Sequence, residues 1–143
     1  MKILIINGPN LSMLGIREPN IYGKMTLDEI NNVIKNNFKN HDIDFFQSNE
    51  EGKIINKILE ANSFYDGIVI NPAAYSHYSI GILDAIKSID IPVVEVHLSN
   101  IYKREEYRKK SITGEGAVGV ISGFGYNSYI LGVEALELFY DKR

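Results

Sequence analysis

The chain of 143 residues contains no cysteine. Disulfide bonds, thiolate zinc sites and cysteine nucleophiles are therefore excluded, together with several classes of enzyme that need them. Long apolar runs are also missing: the first apolar segment ends at Asn7, which is too short for a signal peptide, and no later stretch reaches membrane-spanning length. We therefore expect a cytoplasmic protein that has no membrane partner.

A surplus of basic residues is missing as well. The chain has 15 Lys and Arg against 18 Asp and Glu, for a formal net charge of -3. This balance argues against a nucleic-acid partner but leaves room for a small anionic ligand in a local cationic pocket. With 45% hydrophobic residues, the chain can bury a core without metal or disulfide bonds. We expect one domain over residues 1–143.

Short apolar runs alternate with helical patterns. Five runs typical of strands buried on both faces cover residues 3–6, 43–46, 68–70, 93–96 and 118–121. Helical spacing occurs over residues 26–38, 53–64, 79–89 and 126–140, and Thr26 with Glu29 forms a capping-box pattern. In the last helix, Ile130, Val133, Leu136 and either Leu138 or Phe139 are predicted to face the sheet. The alternation predicts an α/β fold, and the length favours a flavodoxin-like, three-layer arrangement with a five-stranded parallel sheet in the order 2-1-3-4-5.

Polar side chains collect where three of these strands end. Asn10 follows the first strand, Asn71 and His77 follow the third, and His97 and Ser99 lie at the end of the fourth. Because the carboxyl ends of parallel strands lie at the same edge of a sheet, and open α/β sheets bind ligands there, these residues predict a binding site.

Glu95 and His97 are two residues apart in a predicted strand, so their side chains share one face. A carboxylate next to an imidazole fixes its tautomer and raises its basicity, as acid–base catalysis requires. The alternative is a core histidine whose polar atoms are merely satisfied. The convergence of Asn71, His77 and Ser99 on the same edge favours the acid–base interpretation.

Two other kinds of site fit the sequence less well. His77, His97, Glu95 and Asp84 offer nitrogen and oxygen ligands, but their spacing matches no recognised zinc pattern. The glycine-rich residues 122–125 lack the lysine of a P-loop and the Gly-x-Gly-x-x-Gly form, so they predict a turn after the last strand. We therefore expect no metal and no cofactor.

A long irregular segment, residues 11–24, follows the first strand and contains Arg17 and Tyr22. Loops of this length in compact domains are often lids over a site. The phenol of free tyrosine has a pKa near 10, so only about 0.1% is phenolate at pH 7. A cation at about 4 Å attracts a phenolate by about 4 kcal/mol at an effective dielectric near 20. Arg17 can therefore activate Tyr22 as a base, although a lid tyrosine that only packs its ring is the commoner case, and the spacing alone does not overturn that interpretation.

The charged residues 103–110 predict mainly a solvated helical turn, because Glu105 and Glu106 interrupt the positive charges. Arg104 and Arg108 are four residues apart and would share a helical face. One or two arginines turned to the pocket suffice to bind an anion or an array of hydroxyls.

Together these segments resemble the type II 3-dehydroquinate dehydratase family. The motifs are INGPNL at residues 6–11, REPNIYG at 17–23, NPAAYSH at 71–77, EVHLSN at 95–100, REEYR at 104–108 and ISG at 121–123. They occur in the family's order and span residues 3 to about 136. One departure is Ala73, which stands where glycine is common in the family.

The resemblance implies anti elimination of water from 3-dehydroquinate through an enolate, giving 3-dehydroshikimate in the shikimate pathway without metal or cofactor. It implies that Tyr22 as phenolate takes the proton beside the ring ketone and that Arg17 keeps it ionised. His97 then protonates the departing hydroxyl, while Asn10 supports the enolate oxygen.

The resemblance also implies a substrate-binding set and an assembly. Asn71 and the backbone N–H groups of Leu98 and Ser99 would bind the substrate carboxylate. The ring hydroxyls would be bound by His77, Arg108 and Asp84, with Asp84 reaching the site of a neighbouring subunit. Family members form trimers grouped into a dodecamer, so we expect a homododecamer.

The alternative is a flavodoxin-like small-molecule binding or signalling module. A receiver would need acidic residues after the first strand, where this chain has Asn7 and Asn10. A flavin carrier would need a phosphate loop with hydroxyls, which Gly8-Pro9-Asn10-Leu11 lacks, and the proline also removes an N–H donor.

Overall fold

A central parallel sheet of five strands organises the computed structural model, which describes residues 1–141. The strands are β1 (Lys2–Asn7), β2 (Asp42–Gln47), β3 (Gly67–Asn71), β4 (Val93–His97) and β5 (Gly119–Ser122). Their order is β2-β1-β3-β4-β5, which confirms the predicted flavodoxin-like topology. β1 and β3 are therefore neighbours although β2 lies between them in the chain, and the crevice opens where the strand order reverses.

The helices are α1 (Pro19–Tyr22), α2 (Leu27–Asn37), α3 (Glu51–Ala61), α4 (Ile80–Lys87) and α5 (Asn127–Asp141). The predicted capping box is present at the start of α2. The Thr26 hydroxyl accepts from the Glu29 N–H at 3.2 Å, and the Glu29 carboxylate accepts from the Thr26 N–H at 3.4 Å. The single turn α1 lies in the segment expected to be irregular, and begins with proline at its first position.

The helices cover both faces of the sheet and create two apolar cores. Because alternate side chains of a strand point to opposite faces, Ile5 and Val69 pack in the core shared with α2 and α5, whereas Leu4 and Ile68 pack in the core shared with α3 and α4. The result is the predicted three-layer arrangement, which fixes the carboxyl ends of β1, β3 and β4 at one edge.

The fifth strand departs from the prediction. Within residues 1–141, β5 pairs with β4 alone, and Val118 and Val120 are 55% and 45% exposed, so the expectation of a strand buried on both faces is wrong for this edge. α5 buries Tyr129, Val133 and Leu136 against the sheet. Leu138 is 57% exposed, because two residues along a helix correspond to a rotation of about 200° away from Leu136.

No helix within residues 1–141 is both long and apolar enough to cross a membrane.

Candidate active site

A cleft with a volume of about 180 Å³ opens at the carboxyl ends of β1, β3 and β4. Of the residues singled out from the sequence, the structure brings these to its lining: Asn10, Arg17, Tyr22, Asn71, His77, His97, Leu98, Ser99 and Arg108. Glu95 lies behind His97. Asp84 is exposed on α4 and does not line this cleft.

His97 is held by a buried carboxylate. Its Nε2 lies 2.8 Å from Oε2 of Glu95, and the two residues are 5% and 0% exposed. Because Nε2 is engaged by the carboxylate, Nδ1 is the ring nitrogen left to act in the cleft. β4 sets this pairing, since residues two apart project from the same face of a strand.

The residues behind Glu95 were not found from the sequence. The hydroxyl of Ser111 donates to Oε2 of Glu95, and the hydroxyl of Thr113 donates to Oε1. Both lie in the irregular connection between β4 and β5, where no strand or helix periodicity indicates which side chains point inward. Gly114 approaches the same group, since a Cβ there would lie 3.4 Å from Oε2 of Glu95.

His77 faces the cleft from the short 3₁₀ helix after β3, Ala73–His77. Its Nδ1 donates to the carbonyl oxygen of Lys110 at 2.8 Å, which leaves Nε2 for a ligand. Burial lowers the pKa of His77, and the nearby His97 and Arg108 lower it further. Burial therefore favours the neutral imidazole of His77, and its ring stacks on that of His97 with the centroids 6.4 Å apart.

Two arginines surround Tyr22. Nη2 of Arg104 donates to the Tyr22 hydroxyl at 3.0 Å, while Nη1 donates to the Ser99 hydroxyl at 2.9 Å. Both guanidinium groups lie over the Tyr22 ring, with Cζ of Arg17 5.1 Å and Cζ of Arg104 5.3 Å from the ring centroid, but Arg17 pairs with Glu18 at 3.4 Å and not with the hydroxyl. Arg104 was not among the residues predicted for the site, although its spacing from Arg108 was the signal that pointed to it.

The segment that carries these arginines is not an α-helix. It forms two 3₁₀ turns, Ile101–Lys103 and Glu106–Arg108, so the expectation of one helical turn is wrong. Both arginines nevertheless line the cleft. Arg108 donates through Nε to Glu105 at 2.6 Å, and hydrogen bonds from Tyr107 and Arg108 lower the pKa of Glu105 to about 2. The carboxylate thus holds Arg108 at the rim.

The backbone after β4 is oriented by the turn after β5. The carbonyl oxygen of His97 accepts from the Gly123 N–H at 3.2 Å, and that of Leu98 accepts from the Gly125 N–H at 3.0 Å. In a trans peptide the N–H points away from the C=O. The N–H groups of Leu98 and Ser99 therefore point away from this turn, to the side where β3 and the cleft lie.

A buried polar chain supports Asn71 from below. Asn71 Nδ2 donates to the hydroxyl of Tyr129 at 3.0 Å, and that hydroxyl donates to Oδ1 of Asn7. Burial raises the pKa of Tyr129, so it stays a neutral donor. Oδ1 of Asn71 accepts from the Ala73 N–H at 3.1 Å, which leaves one amide hydrogen of Asn71 for the cleft.

Two residues at the rim adopt left-handed backbone conformations. Asn10 has φ 67° and its N–H donates to Oδ1 of Asn49 at 3.0 Å, so its exposed side chain is turned to the mouth of the cleft. Ala73 has φ 53°, a conformation that glycine adopts without the steric cost of a Cβ.

Residues 1–141 contain no group of three or more His, Asp or Glu side chains arranged to hold a metal ion.

The chain is similar to known proteins over nearly its whole length. The family described as "Dehydroquinase class II" matches residues 1–137. A 3-dehydroquinate dehydratase of Clostridium botulinum (strain Hall) is 72% identical over 135 residues, covering 93% of this chain and 92% of that protein. A 3-dehydroquinate dehydratase of Pelodictyon phaeoclathratiforme is 56% identical over 138 residues, covering 95% and 91%.

The fold agrees with a solved structure. The crystal structure of type II dehydroquinase from Butyrivibrio crossotus superposes with a TM-score of 0.94 at 49% identity, covering 96% of this chain and 97% of that one. The resemblance seen in the motifs is confirmed, and the chain belongs to the class II dehydroquinase family.

Proposed function

We propose that this chain catalyses the dehydration of 3-dehydroquinate to 3-dehydroshikimate in the shikimate pathway. Its membership of the family and its 72% identity to a 3-dehydroquinate dehydratase support this function. The observation that carries the proposal is the pairing within one cleft of a phenol bonded to an arginine and an imidazole bonded to a buried carboxylate. A binding or signalling module is not favoured, because the relatives named as dehydratases match nearly the whole chain.

Tyr22 is the proposed base. As phenolate it removes the proton beside the ring ketone of the substrate and becomes a phenol. The hydrogen bond from Arg104 is stronger to a charged oxygen than to a neutral one, so it favours the phenolate. The guanidinium of Arg17 over the ring adds a second positive charge on the same side.

His97 is the proposed acid. The enolate formed in the first step expels the tertiary hydroxyl, and the imidazolium of His97 gives that oxygen a proton from Nδ1, so that water leaves. Glu95 stabilises the imidazolium from behind. Asn10 at the mouth of the cleft supports the enolate oxygen, directly or through a water molecule. The cycle closes when the proton on Tyr22 returns to His97.

The substrate carboxylate is assigned to the free amide hydrogen of Asn71 and the N–H groups of Leu98 and Ser99. These donors converge from β3 and β4, and the contacts behind them fix their directions. His77 and Arg108 are assigned to the ring hydroxyls, since both line the cleft and Nε2 of His77 has no role in holding its own ring.

Asp84 is also assigned to a ring hydroxyl, but in the site of a neighbouring copy. It is exposed on α4, outside the cleft of its own chain. Three exposed apolar residues further support association between chains: Val118 just before β5, Val120 on β5 and Leu138 on α5. We propose a homododecamer built as a tetramer of trimers. Sedimentation-velocity centrifugation checks this, and a monomer at micromolar concentration would contradict it.

The experiment for the reaction is direct. Metal-stripped protein is mixed with 3-dehydroquinate, and the ultraviolet absorbance of the conjugated enone is followed. We expect prompt turnover that a chelator and borohydride leave unchanged, because no metal and no Schiff base takes part. A folded, associated protein without turnover would contradict the proposed function. The cytoplasmic location remains a prediction from the sequence, and cell fractionation checks it.

A further inference from the structure

The surroundings of Glu95 consist of hydrogen-bond donors. Oε1 accepts from the Thr113 hydroxyl, and Oε2 accepts from the Ser111 hydroxyl and faces Nε2 of His97. The Ser111 oxygen also accepts from the Gly114 N–H at 3.0 Å and lies 3.4 Å from the Thr113 hydroxyl, and its shorter contact, to Oε2 of Glu95, favours the carboxylate as the acceptor of its proton. A neutral glutamic acid would bring one more donor into this group, so the contacts fit a carboxylate.

This carboxylate is closed off from bulk solvent. Glu95 and Thr113 are each 0% exposed, and a buried charge without compensating donors is strongly disfavoured. Within residues 1–141, no lysine or arginine forms an ion pair with Glu95, whose ionic partner is His97. The two hydroxyls therefore provide the solvation that water would give to an exposed carboxylate.

We propose that Ser111 and Thr113 are positioning residues that keep Glu95 ionised, so that His97 holds its proton on Nε2 and presents the acidic proton on Nδ1 to the substrate. This inference rests on the proposed function, because it assigns the two hydroxyls to the acid step. It extends to the whole segment 110–114, since the carbonyl of Lys110 fixes the tautomer of His77 through the 2.8 Å bond to Nδ1. One irregular segment thus orients both histidines of the cleft.

The inference predicts a particular direction of change. When His97 loses its proton, the pair with Glu95 carries a net negative charge, which the two hydroxyls stabilise. Removal of one hydroxyl destabilises that charged state, so deprotonation of His97 requires a higher pH. Removal of a hydroxyl also favours transfer of the Nε2 proton from His97 to Glu95. The imidazole of His97 is then neutral and a poor acid, so kcat falls. Other ionisable groups line the same cleft: the His77 ring stacks on that of His97, and Tyr22, Arg17, Arg104 and Arg108 surround the open space. The substitutions leave all of them in place.

The kinetic test compares Thr113→Val, which keeps the shape, with Thr113→Ser, which keeps the hydroxyl. We expect Thr113→Val to lower kcat about tenfold, the loss typical of a hydrogen bond to a charged group, with KM little changed. The alkaline limb of the pH profile moves upward by about half to one unit. Thr113→Ser restores both values to near those of the unaltered chain. Ser111→Ala provides a second variant at a less buried position, with the same expected direction.

Nitrogen NMR of the ligand-free, assembled protein gives a readout that does not depend on turnover. The chain has three histidines, and His41, held by the N-terminal amine at 3.1 Å, serves as the reference signal. The titration midpoint of His97 should rise in Thr113→Val and Ser111→Ala while that of His41 stays constant. Equal loss of kcat in Thr113→Val and Thr113→Ser with an unmoved midpoint would assign Thr113 to packing and overturn the inference. If the His97 midpoint rose in the variants but the unaltered protein never turned over 3-dehydroquinate, the role of the two hydroxyls in keeping Glu95 ionised would stand. The proposed function would then be wrong.

Discussion

The two sides of the cleft are built differently. On one side, His97 lies on a central strand and is 5% exposed, with Glu95 and Thr113 buried behind it and Ser111 partly buried beside them. On the other side, Tyr22 ends a single helical turn in a loop and is partly exposed, and its hydroxyl is held by an arginine from a second loop.

This difference means that the position of His97 is fixed by the fold, whereas the position of Tyr22 can adjust with the loops. The orientation of His97, the proposed acid, is set by folding, since Glu95 and Thr113 behind it are buried and hydrogen-bonded before any ligand arrives. Tyr22, the proposed base, depends on contacts between side chains of two irregular segments, which open more easily than a buried core. We therefore expect substitutions around Tyr22 that keep its hydroxyl to act mainly on the acid limb of the pH profile, and substitutions behind His97 to act on kcat and on the alkaline limb.

The largest expected effect comes from removing the base. Tyr22→Phe deletes the oxygen that accepts the proton, so kcat should fall by about a thousandfold or more, while folding and ligand binding persist. Steady-state kinetics and ligand titration by calorimetry measure the two quantities. His97→Ala should be nearly inactive as well, and substantial turnover in either variant would contradict the assigned roles.

On the His97 side, Glu95→Gln removes the charge but keeps the size of the side chain. Without the carboxylate, the imidazolium loses its stabilising partner, and we expect kcat to fall by about a hundredfold with KM little changed. Glu115→Gln, an exposed glutamate in the neighbouring turn, is the matched control and should behave like the unaltered chain. If both variants kept full kcat, the buried carboxylate would have no part in the acid step.

On the Tyr22 side, the comparison is between two arginines. Arg104 bonds the hydroxyl, whereas Arg17 lies over the ring. Both Arg104→Met and Arg17→Met should move the acid limb of the pH profile upward, because the phenolate loses stabilisation. Arg104→Met should have the larger effect, about tenfold or more in rate at pH 7.

Lys103→Met is the control for these variants, since Lys103 is the exposed neighbour of Arg104. If Arg17→Met moved the acid limb of the pH profile and Arg104→Met did not, the contact between Arg104 and Tyr22 would not be what stabilises the phenolate. An unchanged profile in Arg17→Met would remove Arg17 from the activation argument.

The parts of the fold and of the candidate site that could be predicted from the sequence are those that lie in segments with a strand or helix periodicity. The strands followed from apolar runs such as residues 3–6 and 68–70, because every residue of a strand buried on both faces is apolar. The alternation with helices and the chain length then predicted the sheet order, and the polar residues after the strands predicted the position of the cleft. The contacts of Arg104, Ser111 and Thr113 did not follow, since residues 98–116 run without a continuous strand or α-helix and their direction is set by tertiary packing. The exposure of Val120 was missed because apolar residues on an edge strand look like those on a buried one.

The smallest expected effect lies between the two sides, in the turn after β3. Ala73 has φ 53°, which costs a residue with a Cβ about 1 kcal/mol or more relative to glycine. Ala73→Gly removes this strain but adds freedom to the unfolded chain, so we expect a net gain of about 0.5 kcal/mol and a rise of about 1 to 2 °C in Tm. Gly123→Ala is the reverse control, because its φ is 104° and a Cβ would lie 3.0 Å from Cβ of Asn100, so Tm should fall. A lower Tm in Ala73→Gly would show that the Cβ of Ala73 contributes packing worth more than its strain. An unchanged kcat in the same variant would show that neither side of the cleft depends on this turn's flexibility.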